Sequence, residues 1–293
     1  MSDVKIDLAH RAEAQLGETC LWDARTGLLG WIDIEQPRFY TLDPATGATT
    51  SVAHPGTYLG CQALTRSGRQ LLARDLTLIT CDADGSDVRV LAETPGEAMP
   101  DTRLNDGRVD AQGRLWIGTM DNELHRGLGH LYRVDPDGTM TAVLGDVIVS
   151  NGIAFDPQGR WMWFTDTRRH LTWKIHLDAD GTVTGRDPWA DYSASGGRPD
   201  GACVDADGCL WQAMFGGGRV VRYAPDGRID RDIALPVTNP TCLCFGGPDL
   251  STLFVTSATK FLTPEQRATE PLAGSVLAIH GAGQGMPENL FNI

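Results

Sequence analysis

The chain reads as all-β, a single six-bladed β-propeller domain spanning residues 1–293, and three observations predict it. Six stretches share one plan: a short apolar or alternating run, a connection, then a second run closed by a turn. LLGWIDI then RFYTLDPATG, RLWIGTM then GHLYRVDPDG, and CLWQAM then RVVRYAPDG are examples. Asp-Gly and related turns between such runs are strong local signs of antiparallel hairpins. The turn residue ahead of each leading strand falls at Gly27, Gly68, Gly113, Gly159, Gly208 and Asp249, at intervals of 41 to 49 residues. That is the period of propeller blades, whereas a sandwich shows turns every ~8–12 residues without long-range register. The repeats run from Gly27 to Gly281 with no linker between them, so one domain is the better count.

Composition agrees. Of 293 residues, 41% are hydrophobic and 22% charged, enough for a soluble globular core, and 34 glycines with 16 prolines suit many turns. Net charge is −13 without a dense Lys/Arg block, which argues against a nucleic-acid or anionic-membrane partner. Many of the aspartates sit in Asp-x-x-Gly or Asp-Pro-x-Gly turns, where they support the bend. No run reaches the ~20 apolar residues a bilayer span needs, and Met1-Ser2-Asp3-Val4-Lys5 lacks a signal-peptide core, so a cytoplasmic protein is expected. Seven scattered cysteines without Cys-x-x-Cys favour buried reduced thiols over disulfides or a zinc site. The oligomeric state stays open.

Taken in order, VKIDLAHRA at residues 4–12 alternates like a strand but precedes the first blade. Such a strand would complete the last blade and remove its free edge. Ahead of each leading strand then comes an equivalent slot, eight or nine residues before the turn in four repeats. Glu18, Asn105, Asn151 and Asp200 occupy it, with Cys61 in the second repeat and Thr241-Cys242 in the last. Equivalent positions in successive blades are related by rotation about the propeller axis, so residues placed just before the innermost strands should ring one mouth of the channel. Two carboxylates and two amide oxygens make a hard-oxygen set for a divalent cation. Each residue alone is more often a turn cap than a ligand. Their common register tips the balance toward a site.

Other features are structural. The seven histidines share no register, which argues against a histidine cage or a His-driven triad. Gly216-Gly217-Gly218 opens no helix and is a blade turn, and the Asp82–Gly85 and Asp178–Gly181 segments are hairpin turns lacking the closing glutamate of a calcium loop. Trp31, Trp116, Trp163 and Trp211 lie in leading strands and should pack between blades. Thr263-Pro264-Glu265-Gln266 reads as a capping box, so a short helix should interrupt the last blade. Asp121–Leu128 is long for a hairpin connection and is a candidate lid.

With these residues in place, the chain resembles the senescence marker protein/gluconolactonase/luciferin-regenerating enzyme family, which includes regucalcin. Gly17-Glu18 with Trp22, Arg103–Gly107, Asp110–Arg114, Gly118–Met120, Ser150–Gly152, Phe164–Asp166, Pro199–Gly201 and Phe245–Leu250 carry the resemblance across nearly the whole chain. It implies a propeller binding one divalent cation (Ca²⁺, Zn²⁺, Mn²⁺, Mg²⁺ or Fe²⁺) through Glu18, Asn151 and Asp200. It moves Asn105 from ligand to substrate contact, together with Arg103 and Glu123. The implied activity is hydrolysis of a small-molecule sugar lactone of five or six carbons. Asp200 is then the preferred catalytic base, and a hydroxide on the cation is the other route. The chain departs from the family at Thr19-Cys20, where Gly-Pro usually follows the glutamate, and at Phe215, where tryptophan is common. Two further readings keep the fold: a calcium-binding regulatory propeller without turnover, and a metal-dependent esterase or organophosphatase.

Overall fold

The computed structural model describes residues 4–293; Met1-Ser2-Asp3, part of the reading of the N-terminus above, lie outside them. Six four-stranded antiparallel sheets make up the chain. Their innermost strands are Gly17–Asp23, Leu59–Leu64, Thr102–Val109, Ser150–Phe155, Arg198–Val204 and Pro240–Gly246. Each packs against the next, and the sixth packs against the first, which closes the ring. Lys5–His10 pairs with Val276–His280 as the outer strand of the sixth blade, as circular closure required. A short helix, Pro264–Thr269, interrupts that blade, with the reciprocal Thr263–Gln266 capping box in place. Among the described residues no helix is long and apolar enough to cross a membrane.

One sequence expectation needs correction. The strands taken as leading, such as Leu210–Phe215, are the second strand of each blade, and the slot residues lie on the innermost strand rather than before it. Innermost strands such as Arg-Pro-Asp-Gly-Ala-Cys-Val are rich in Gly, Pro and Asp, residues depleted from ordinary strands. They imitate turns because the channel leaves little room for side chains. A Cβ on Gly201 would fall 2.7 Å from Cys242 Sγ, and one on Gly60 would fall 2.1 Å from the Leu104 carbonyl oxygen.

The blades cohere through the second strands. Trp31, Trp116, Trp163 and Trp211 are fully buried, each in a cluster drawn from two neighbouring blades; Trp211, for instance, packs with Leu243, Phe245 and Val255. Hairpin aspartates tie the corners. Asp205 accepts the Asp207 and Cys209 amides (3.0 and 2.9 Å), Trp211 Nε1 (2.9 Å) and Arg222 Nε (2.6 Å) while almost fully buried. Removing this carboxylate strands a buried indole N–H and two turn amides, while Arg222 keeps Asp207 and Asp230 at 2.7 and 2.6 Å. Asp205→Ala should therefore cost about 2–3 kcal/mol, read as a lower urea midpoint at unchanged slope. All seven cysteines are free and buried, as expected.

The two mouths of the channel differ. At the end away from the slot residues the C-terminal segment crosses the opening: Glu288 pairs with Arg108 at 2.8 Å and Phe291 is fully buried between blades. The slot end carries the cleft that holds the candidate residues.

Candidate active site

Every pairing of an innermost strand with its second strand is interrupted at the slot. The register shifts fall between Glu18 and Leu21, Leu59 and Cys61, Leu104 and Gly107, Asn151 and Ala154, Pro199 and Ala202, and Pro240 and Leu243. A bulge bends the strand and re-aims the side chain beside it. Six bulges at one register turn the slot residues toward a common point. The backbone bears the strain locally: Gly152, after Asn151, has φ +57°, and Thr19, after Glu18, has φ +41°. A β-branched residue there is strained by about 1–2 kcal/mol.

Glu18, Asn105, Asn151 and Asp200 meet on the floor of one cleft enclosing about 610 Å³, part of it open to solvent. Each is at most 7% exposed. Burial first and then the Asp106 charge drive the Glu18 carboxyl up to about 8, and burial with the charges of Glu18 and Asp106 drives Asp200 well above the usual range. Asp106 is itself buried, its Oδ2 accepting the Ile153 amide at 2.8 Å. The excess negative charge here is what a divalent cation would relieve.

The amides are oriented by their neighbours. Asn151 Nδ2 donates to Thr167 Oγ1 (2.8 Å), which donates to the Pro199 carbonyl (2.7 Å), while Asn105 Nδ2 donates to Asn151 Oδ1 (3.0 Å). Asn151 therefore presents oxygen to the floor. Asn105 does not: its Oδ1 accepts Arg103 Nη1 at 2.6 Å, and its Nδ2 is shared between Asn151 and the Ser150 carbonyl. A carbonyl already facing a guanidinium is a poor cation ligand. The oxygen donors that fit a hard divalent ion are thus Glu18, Asn151 and Asp200, with Arg103 and Asn105 beside them. Among the described residues no group of three His, Cys, Asp or Glu side chains is gathered to hold a metal ion, so the candidate set depends on the Asn151 amide.

Glu123 is elsewhere. Its side chain is 65% exposed, 3.8 Å from His125 Nε2 and 3.9 Å from Arg126 Nε, and it does not line the cleft. The next residue, Leu124, held at φ +64°, does line it, so the 121–128 connection covers part of the mouth. Phe215 also lines the cleft and packs edge-on against Phe261 (centroids 6.2 Å apart).

The upper wall holds residues not anticipated from sequence: Arg168, Arg198 and Lys260. Lys260 pairs with Glu35. Arg168 follows Asp166, whose carboxylate accepts the Arg168 amide at 3.1 Å and so fixes the turn. Arg198 opens the fifth innermost strand, and burial and the Arg168 charge both lower its pKa. A period-two reading from the slot would have found it, since residues two before Glu18, Asn105, Asn151 and Asp200 share their face. These are Leu16, Arg103, Val149 and Arg198, and all four line the cleft.

The profile of the SMP-30/Gluconolactonase/LRE-like region matches residues 16–259. The chain is 40% identical to the 6-deoxy-6-sulfogluconolactonase of Pseudomonas putida, covering 96% of each chain. It is 31% identical to a pentonolactonase of Haloferax volcanii over 94% of each. Among solved structures, the calcium-binding protein regucalcin of Agrobacterium tumefaciens superposes with a TM-score of 0.92 at 31% identity, covering 98% of this chain and 97% of that one. By fold, by the segments matched and by these relatives, the chain belongs to the SMP-30/gluconolactonase/LRE-like family of six-bladed propellers, whose lactonase members mark it as a hydrolase.

Proposed function

We propose that this protein hydrolyses a five- or six-carbon sugar aldonolactone to the aldonic acid in a divalent-cation-dependent reaction. The observation that carries the reading is the convergence of Glu18, Asn151 and Asp200 on the cleft floor, with Arg103 and Asn105 at hydrogen-bonding range of one another beside them. The cation held by these three residues would supply charge stabilisation for the lactone carbonyl oxygen. Asp200 takes a proton from the attacking water as its oxygen bonds to the lactone carbon. The ring C–O bond then breaks, and Asp200 returns that proton to the departing sugar oxygen. Arg103 and Asn105 orient the ring hydroxyls, and Leu124 and Phe215 exclude water above it. Glu123 contributes to this site only if its loop turns inward. Seven reduced cysteines suit a cytoplasmic setting.

The test is acid release from a panel of pentono- and hexonolactones by chelator-stripped protein, with each divalent cation added back. Turnover should be absent without a cation and restored by one or two of them. Cation binding without turnover on any lactone would replace this reading with a calcium-binding propeller.

A further inference from the structure

We infer that Arg168 and Arg198 form an anion subsite at the mouth of the cleft, and that the substrate is an aldonolactone carrying a terminal sulfonate or phosphate. The inference rests on the lactonase reading above and narrows its substrate class.

The two arginines come from adjacent blades, Arg168 from the turn after Trp161–Asp166 and Arg198 from the first residue of Arg198–Val204. Both line the same cleft as Asp200, and both also line the adjoining cavity toward Gln266. Two guanidiniums lining one cleft, Arg198 exposed and Arg168 half-buried, repel each other, and a protein with 38 acidic side chains has ample means to neutralise them. It does so for their neighbours. Arg169, next in the chain, pairs with Asp146 at 2.8 Å and Asp166 at 3.3 Å, and Lys260 pairs with Glu35. Among the described residues neither the Arg168 nor the Arg198 guanidinium makes an ion pair or a side-chain hydrogen bond, although both line the same two cavities. The only carboxylates lining the two cavities are Glu18 and Asp200, both on the floor. A like-charged pair left uncompensated on the wall of a cleft is complementary to an anion.

Position fixes which end of the substrate that anion occupies. Arg198 stands two residues before Asp200 on one strand, so its Cα lies about 7 Å toward the mouth from the reacting end. The lactone carbonyl belongs on the floor, beside Asp200. The far end of a six-carbon lactone is what the arginines meet. A planar carboxylate is satisfied by one guanidinium fork, whereas three oxygens arranged around sulfur or phosphorus accept from two forks approaching from different blades.

The experiment compares hexonolactones bearing hydroxyl, carboxylate, sulfonate or phosphate at the terminal carbon, using the cation-loaded protein and its Arg168→Gln/Arg198→Gln double variant. The sulfonate or phosphate lactone should exceed the neutral one at least tenfold in kcat/KM, mainly through KM, with the advantage shrinking as salt is added. In the double variant the charged-to-neutral ratio should fall at least tenfold; comparing the two charged lactones tells which oxyanion is native. A ratio near one in the wild type, a preference that survives in the double variant, or a carboxylate lactone preferred over both would each overturn the proposal. Inorganic sulfate and phosphate, titrated calorimetrically into wild type and double variant, test the subsite independently of turnover. Loss of anion binding in the double variant supports it, and equal or absent binding in both overturns it. Turnover of neutral lactones without a charged preference would sink the subsite alone, whereas no turnover of any lactone with any cation would sink the lactonase reading.

Discussion

Replacing Asp200 by alanine should lower cation-dependent kcat/KM by roughly 10³- to 10⁴-fold, because one carboxylate is asked both to hold the cation and to move the proton. The loss should be catalytic and not a loss of fold. The backbone carbonyl of Asp200 accepts Gln212 Nε2 at 2.5 Å, and this bond survives the substitution. Removing the carboxyl also removes the charge that burial and Glu18 make costly. The variant should therefore melt no lower than the stripped wild type, with an unchanged circular dichroism spectrum. Asn151→Ala should behave alike, since it deletes the one uncharged donor on the floor while Asn105 Nδ2 keeps the Ser150 carbonyl at 2.8 Å. The discriminating readout is cation affinity by calorimetry, which should collapse in both variants. Full activity in Asp200→Ala would remove the site and the proposed chemistry together.

How much of this was legible in the sequence follows from the same residues. Blade count and slot register could be read because turns are local: Asp-Pro-x-Gly and Asp-x-x-Gly sequences set a hairpin wherever they stand, and rotational symmetry does the rest. Glu18, Asn151 and Asp200 therefore converge as the register required. The innermost strands were taken for connectors because crowding at the axis demands Gly and Pro, the residues that mark strand ends elsewhere. Bulges carry no composition signal of their own, so the six register shifts that aim the slot residues were invisible. Asn105 shows where register alone fails. It holds a slot, yet Arg103 two residues away captures its oxygen, a contact between side chains that spacing does not encode. Arg198 was within reach of a period-two argument, but Arg168 was not. Its place on the wall depends on a turn pinned by Asp166, not on strand periodicity.

Stripping the cation should make the stability of this protein fall as pH rises, the reverse of the usual behaviour of a salt-bridged carboxylate. Glu18 titrates near its ordinary value of 4.5 when unfolded and near 8 in the folded chain, raised first by burial and then by the Asp106 charge. Between those values the folded state binds more protons than the unfolded one, so unfolding free energy has a negative slope against pH. The stabilisation is fully present below about pH 4.5 and is lost as pH climbs through 8. Asp200, raised in the same direction by burial and by Glu18, steepens the fall. Carboxylates depressed by their arginines, such as Asp23 and Asp156, run the other way, but their contribution is complete once pH exceeds the unfolded carboxylate range. His10 and His54, lowered by burial, also run the other way, but their contribution is complete above the unfolded histidine value of 6.5, so from about pH 6.5 to 8 the floor of the cleft governs the trend. The melting temperature of chelated protein should drop by about 5 °C or more across that window, and a bound divalent cation should flatten the curve by favouring the ionised pair. Loading at pH 6 should also release protons, visible as a binding enthalpy that changes with the ionisation enthalpy of the buffer. A stripped protein whose melting temperature is level or rising from pH 6.5 to 8 would mean that the two carboxyls are not forced together as the structure places them. The inverted slope thus tests the proposed cation site without any substrate, and it separates a cation-binding floor from a merely polar one.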